Sequence, residues 1–224
     1  MWETTLRSRV ALLLGLLLGL AGSLGTTPPA GAAVPAPAPA ELMRRIDAAQ
    51  ADLRSLSAEF VQNSRSKLFK QQLSSQGRLY YQRGAPTRLR WEYTRPDAST
   101  MLLIGERATL RIGSRPPQVF DSSRDPTLNA IFTQLQLWLG NGSLASAQAD
   151  YEVSSSGTAE RPALILAPRP ASPLSRAFSR IELHVDGRTL QLGRLLLVEN
   201  SGDEKEVVFS RMQRNAALPQ NAFQ

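Results

Sequence analysis

Two alternating runs joined by a turn, GRLYYQ and RLRWEY within Gly77–Pro96, commit this chain to an antiparallel sheet with one apolar face. Side chains alternate across a strand, so Leu79 and Tyr81 share a face with Arg83 in the first run, and Leu89, Trp91 and Tyr93 share one in the second. Arg78, Arg88, Arg90 and Glu92 fall on the opposite side. A sheet that is aromatic and aliphatic on one side and arginine-rich on the other is half-buried, with its apolar side turned to a core or a cavity. Arg83 breaks the pattern by standing on the apolar face at the end of its strand. It is either a strand-end arginine that snorkels to water or a donor placed at the mouth of an apolar space.

The flanking sequence supplies more strands and a few helices. From Glu41 to Leu56 apolar residues recur at Leu42, Ile46, Ala49, Leu53 and Leu56, a spacing that predicts an amphipathic helix with one buried stripe. Leu56–Gln62 then reads as the start of a strand, and the polar stretch Asn63–Gln72 as a loop or frayed hairpin. Beyond the central pair, the short runs Thr100–Ile104, Thr109–Ile112 and Gln118–Asp121 continue a meander. Asp125-Pro126 opens a second helix, with Asp as cap and Pro at the first helical position. Leu128, Ile131, Phe132, Leu135, Trp138 and Leu139 form its apolar face, and Asn141-Gly142 ends it. A short helical piece at Ser143–Gln148 precedes five more strands, Tyr151–Ser154, Ala163–Ala167, Ser179–Asp186, Leu190–Glu199 and Glu204–Met212. No internal repeat and no second composition regime divides the chain, which reads as one folded domain over residues 41–224.

The first residues read differently. Arg7 and Arg9, the apolar run Val10–Leu20, and the small residues Ala30, Ala32 and Ala33 have the order of a secretory signal peptide, with cleavage expected near Ala32 or Ala33, so that residues 1–33 are removed. A membrane anchor needs about 20 apolar residues, and this run is shorter and interrupted by Gly15, Gly19 and Gly22. Residues 34–40, VPAPAPA, then form an extended Pro/Ala-rich linker. Export sets the compartment and weakens any case for nucleic acid as the partner of a chain with formal net charge +7, since no recognition motif accompanies its arginines. The chain holds no cysteine and one histidine, His184, which alternation puts on the polar face of its strand. Disulfides, thiol chemistry, a histidine zinc cluster and a Ser-His-Asp relay are all excluded on that count. No Gly-rich phosphate loop and no paired carboxylates stand out, so the expectation is a protein that is not an enzyme and carries no cofactor.

The order of these elements resembles the LolA family, the periplasmic carriers of outer-membrane lipoproteins. The likeness rests on the N-terminal helix leading into Phe60-Val61-Gln62, on Gly77-x-Leu79, on Pro86–Pro96 with Trp91 at its centre, and on Gly105 before Leu110. It continues through Gly202-Asp203, Phe209, Asn215, Leu218-Pro219 and Phe223, so it spans Leu42 to Phe223. The resemblance implies a mainly β fold with helices (α+β), an unclosed antiparallel β-barrel lidded by two or three α-helices around an apolar cavity. By the same implication Leu79, Tyr81, Leu89, Trp91, Tyr93, Leu102, Ile104, Ile131, Phe132, Leu135 and Trp138 line the cavity. Arg83 would bond to the lid and hold it closed, although Gly84-Ala85 separates it here from Pro86.

The implied partners are a lipoprotein or other lipidated cargo, an inner-membrane transporter complex and an outer-membrane acceptor, with the carrier itself a periplasmic monomer. Two relatives of the same fold stay open: a paralogue that moves another lipid or a lipid-linked biosynthetic product, and a lipid-sensing regulator. Energetics suit a carrier of either cargo only under one condition. Burying one methylene is worth about 0.8 kcal/mol, so full burial of a long acyl chain would give roughly 10 kcal/mol or more, too tight for quick release. Such a protein has to bury its cargo partially or refill the space with its own lid.

Overall fold

Alternation holds through an 11-stranded antiparallel sheet in the order β6-β5-β4-β3-β2-β1-β11-β10-β9-β8-β7. The computed structural model describes residues 34–67, 72–124, 126–139 and 142–224; the expected signal peptide, the Asp125 cap, Asn141 and the side chain of Leu128 lie outside what is described. The strands are β1 (Ser55–Arg65), β2 (Gln72–Gln82), β3 (Arg88–Arg95), β4 (Ser99–Ile104), β5 (Arg107–Ile112), β6 (Gln118–Asp121), β7 (Tyr151–Gly157), β8 (Pro162–Pro168), β9 (Phe178–Val185), β10 (Leu192–Glu199) and β11 (Glu204–Arg214). First and last strands pair at the middle of the sheet, and hairpins run outward from them to β6 on one side and β7 on the other. Those two edges do not pair with each other, so the barrel is unclosed.

Helices α1 (Pro39–Gln50) and α2 (Pro126–Trp138) cover the concave face, with short 3-10 turns at Ser122–Arg124, Leu144–Ala149 and Pro173–Arg176. Helix α1 packs on β7, β8 and the 3-10 turn Leu144–Ala149, where Asp47 accepts from the Leu144 amide and the Ser143 hydroxyl. Helix α2 packs between the 3-10 turns that follow β6 and precede β9, and so lies across the unpaired side of the sheet. It joins two apolar clusters. Phe132 and Leu139 belong to the one built on β1–β5, Leu137 and Trp138 to the one built on α1 and β7–β11, and Ile131 and Leu135 pack against both.

In three places the structure corrects or completes the sequence reading. The first helix stops at Gln50 although its apolar spacing continues, because the chain turns at Ala51–Arg54 and places Leu53 and Leu56 in the core from a turn and a strand. It also begins two residues early, at Pro39, where a missing amide proton costs nothing. Residues 34–38 are extended as expected, yet they are bonded along the β7–β8 hairpin: Pro35 bridges Thr158, the Ala36 amide donates to Gly157, and Ser155 Oγ donates to the Pro37 carbonyl. Finally, of the two alternatives for residues 63–72, a loop or a frayed hairpin, the structure has the hairpin: the stretch contains the end of β1 and the start of β2, whose register pairs Arg65 with Gln72.

Candidate functional site

The concave face is built from one side chain in two. On β2 it receives Leu79 and Tyr81, on β3 Leu89, Trp91 and Tyr93, all as expected from alternation. On β4 the phase is the reverse of that expected. Leu89 pairs with Leu103 and Trp91 with Met101, so Leu103 and Met101 point inward while Leu102 and Ile104 join Arg88 and Arg90 on the convex side. Leu102 and Ile104 are therefore removed from the set of lining residues. The run MLLI is apolar at every position, and only pairing with β3 selects which residues go in.

Aromatic rings form the centre of the face. Phe60 of β1 stands 4.7 Å from Trp91 and 5.3 Å from Tyr93 between ring centroids, and Phe209 of β11 stands 6.0 Å from Trp91. These spacings lie in the range where tilted and edge-on pairs attract. Phe60 lies over Gly77, the position in β2 without a side chain. Toward the β1–β2 turn the face becomes polar. The buried Tyr93 hydroxyl donates to Gln62 Oε1 at 2.7 Å, and Gln62 Nε2 donates to Ser64 Oγ. Lys205, inward on β11, is ion-paired to Glu199. Burial pushes the Tyr93 phenol well above its ordinary pKa, so it stays a neutral donor.

The apolar part of the face is filled by the helices. Phe132 is 4% exposed, and Trp138 and Leu139 are each 8% exposed. What remains is a recess of about 30 Å³ where the ends of α1 and α2 meet β1, β2 and β11. An acyl chain cannot occupy this space unless a helix moves out. In this arrangement the protein's own side chains occupy the apolar face.

Covering the face leaves polar atoms stranded. Among the described residues Gln50 Oε1, Tyr81 Oη, Trp91 Nε1, Gln134 Oε1 and Trp138 Nε1 are buried without a hydrogen bond of ordinary geometry. Each such atom costs about 1–3 kcal/mol. Gln134 and Trp138 sit one turn apart on α2, so the helix meets the sheet with an imperfectly satisfied surface. The Tyr81 hydroxyl stands beside Arg83. Burial raises its pKa, and the guanidinium offsets part of that rise.

Arg83 reaches the end of α1, one of the two helices that cover the concave face. Its guanidinium donates to the carbonyls of Gln50 at 3.1 Å and Ala51 at 2.9 Å, at the end of α1. Arg214, at the end of β11, donates to the Ala49 carbonyl at 2.7 Å and to Asp52. Helix α1 has no basic residue in its own last turn. Two arginines, one just past β2 and one at the end of β11, thus donate to three consecutive carbonyls at the helix end, the middle one of which, that of Gln50, also accepts from the Leu53 amide, and they place positive charge where the helix dipole is negative. Asn215, at φ 55°, fixes the same corner by accepting from the Arg54 and Ser55 amides. Sequence reasoning missed Arg214. The bare end of α1 signals that donors must come from elsewhere, but the spacing of residues does not say from where.

Removing either arginine should loosen α1. Arg83→Leu and Arg214→Leu are each expected to lower stability by about 1–2 kcal/mol, since the bonds are charge-assisted but half-exposed. Hydrogen exchange should accelerate at residues 46–51 more than in the strands. Equal protection of α1 in the parent and in both variants would mean that neither arginine holds the helix.

The convex side is polar. Arg90 donates to Glu92 and to the carbonyls of Asn221 and Gln224, which lays the C-terminal segment over β3. His184 lies there too, between Glu182 and Arg194, and Arg194 continues the chain of charges to Glu206. Among the described residues no three of His, Asp and Glu gather as a metal site, and no helix is long and apolar enough to cross a membrane.

Comparison with known proteins fits this geometry. The profile of a family described as "Outer membrane lipoprotein carrier protein LolA" matches residues 51–224. An outer-membrane lipoprotein carrier protein of Chromobacterium violaceum is 30% identical over 195 residues, 86% of each chain. Among solved structures, a MucA/MucB complex of Pseudomonas aeruginosa aligns with TM-score 0.49 and 18% identity over 82% of this chain, which spans only 59% of that one. A LolA superfamily protein of Nitrosomonas europaea aligns with TM-score 0.44 and 13% identity, covering 84% of this chain and 98% of that one.

Proposed function

We propose, from the premise that this chain belongs to the LolA family of outer membrane lipoprotein carrier proteins, that it shuttles lipoproteins across the periplasm by holding their acyl chains against the concave face of its sheet. Carriers of this family are non-catalytic. The observation that carries the reading is a continuous apolar and aromatic face, from Tyr81 and Leu89 to Phe60 and Phe209, whose cover is made of helices rather than of a second sheet. Closed, the face is filled by Phe132, Trp138 and Leu139. Open, the same face would offer an acyl chain the contacts those side chains give up.

The exchange is close to balanced by construction. Cargo burial worth about 0.8 kcal/mol per methylene is offset by undocking of α2 and loss of its own apolar contacts. Release then requires no strong pull. An inner-membrane complex would load the carrier by stabilising the open form, and an outer-membrane acceptor would receive the cargo as α2 closes again. Arg83 and Arg214 would set how readily the end of α1 gives way during that cycle.

Purification from the periplasm of its own organism, followed by mass spectrometry of what co-purifies, tests the reading. Acylated lipoproteins are expected to be bound. Recovery of a free glycolipid or another lipid without protein would transfer the same site to a different cargo, and recovery of a protein free of any lipid even after the cargo pool is raised would discard the carrier role.

A further inference from the structure

The recess at the ends of the two helices has a chemistry that the carrier reading does not use. Leu53, Leu56, Leu79 and Leu139 give it apolar walls, and Trp138 and Gln50 stand among them. Both are more than nine-tenths buried, at 8% and 6% exposed, and Trp138 Nε1 and Gln50 Oε1 have no hydrogen-bond partner among the described residues. An indole N–H can only donate. Arg214 also lines the recess, and its guanidinium is engaged with the Ala49 carbonyl and Asp52.

We infer that this recess is a subsite for the acyl carbonyl of the cargo, with Trp138 Nε1–H donating to the carbonyl oxygen while the attached alkyl chain runs onto the face beside Leu79. The inference rests on the carrier reading and deepens it, because it names the part of the lipid that is recognised. Three features select a carbonyl. The unpaired indole N–H beside these leucines is a neutral donor, and it matches a neutral acceptor joined to a hydrocarbon chain. A phosphate would bring a charge into an apolar slot whose one cation already has two oxygen partners, and would leave most of its own oxygens unbonded. A bare alkyl chain would leave the indole N–H as stranded as it is in the closed form, whereas a carbonyl gives it a partner it lacks. The recess also lies at the seam between both helix ends and the sheet, so it widens when either helix moves outward.

The test compares two lipids that differ in this group alone, 1-palmitoylglycerol, an ester, and 1-O-hexadecylglycerol, the ether without the carbonyl. Binding to the purified protein is measured by displacement of a fluorescent fatty probe. The parent is expected to prefer the ester by about tenfold, the worth of one well-made buried hydrogen bond. Trp138→Phe keeps an aromatic ring and removes the N–H, and should erase the preference, so that the ratio of ester to ether affinity falls to about one whatever the absolute affinities of the variant. Should that variant fold poorly, the parent labelled with nitrogen-15 tryptophan serves instead: the Trp138 indole proton should move downfield with the ester and stay in place with the ether. Equal affinity for both lipids, or an indole signal that responds to both alike, overturns the carbonyl subsite and leaves the carrier reading intact. If neither lipid binds, the carrier reading falls and the subsite falls with it.

Discussion

Gly77→Ala is expected to damage the centre of the sheet severely. A Cβ at this position would stand 2.0 Å from the Glu92 carbonyl oxygen and 2.4 Å from the Phe60 ring. The ring could rotate, but the carbonyl belongs to β3, opposite β2 in the ladder, and cannot withdraw without breaking that pairing. Overpacking a core costs about 1–3 kcal/mol and sometimes more, and a contact with main chain belongs at the upper end. That is a large fraction of the roughly 5–15 kcal/mol that holds a domain of this size together. Thermal melts followed by circular dichroism would measure it. Gly84→Ala is the control, since its nearest neighbour would be 3.5 Å away. A Gly77→Ala protein that melts with the Gly84→Ala protein would mean that Phe60 is not held over β2. The damage should extend to function even where the protein still folds, because displacing Phe60 also displaces Trp91 and Tyr93 beside it.

Phe132→Glu is expected to open the protein rather than unfold it. Helix α2 is held on the sheet by apolar contacts, and a carboxylate in place of the buried Phe132 ring would have no partner among Leu79, Leu89 and Leu103 of its cluster. Burying such a charge costs several kcal/mol, enough to undock one helix but spread over a sheet whose backbone ladder does not depend on it. The β signature in circular dichroism should persist, a dye for exposed apolar surface should bind without cargo, and hydrogen exchange should rise in residues 126–138 before it rises in the strands. The sign of the pH response follows. In the closed form desolvation raises the pKa of the introduced carboxyl, so its neutral form favours closure. Dye binding should therefore fall as pH drops through that raised value and return as pH rises. Loss of the whole β signature at neutral pH would instead make α2 an integral part of the core and not a movable cover.

How much of this was legible in the sequence depended on whether the deciding contact was local. Leu79, Tyr81, Leu89, Trp91 and Tyr93 could be assigned to one face because polar residues alternate with them, and that alternation is a property of the strand itself. The unclosed sheet and its helical cover were readable once the order of elements resembled a known family. Leu102 and Ile104 went to the wrong side because four apolar residues in a row carry no phase, and the phase came from the pairing of β4 with β3. The end of α1 was overrun because Leu53 and Leu56 continue the helical spacing, while the actual stop is enforced by the turn after Gln50 and capped by Arg83 and Arg214 from other strands. Residues 63–72 left a loop and a hairpin both open because the stretch is polar throughout, and Ser64 in fact faces inward opposite Lys205 in a polar end of the concave side that no local pattern announces.

The sequence by itself determined the class of sheet, the side on which its apolar groups lie and the helices available to cover it, since each of these follows from periodicity within one element. Only the tertiary structure decided that the covered face is already filled, that the carbonyls at the end of α1 meet two distant arginines, and that Trp138 is buried with its N–H unpaired. Each of those is a relation between elements remote in the chain, where packing and hydrogen bonding are settled by which surfaces meet and not by the residues on either surface alone.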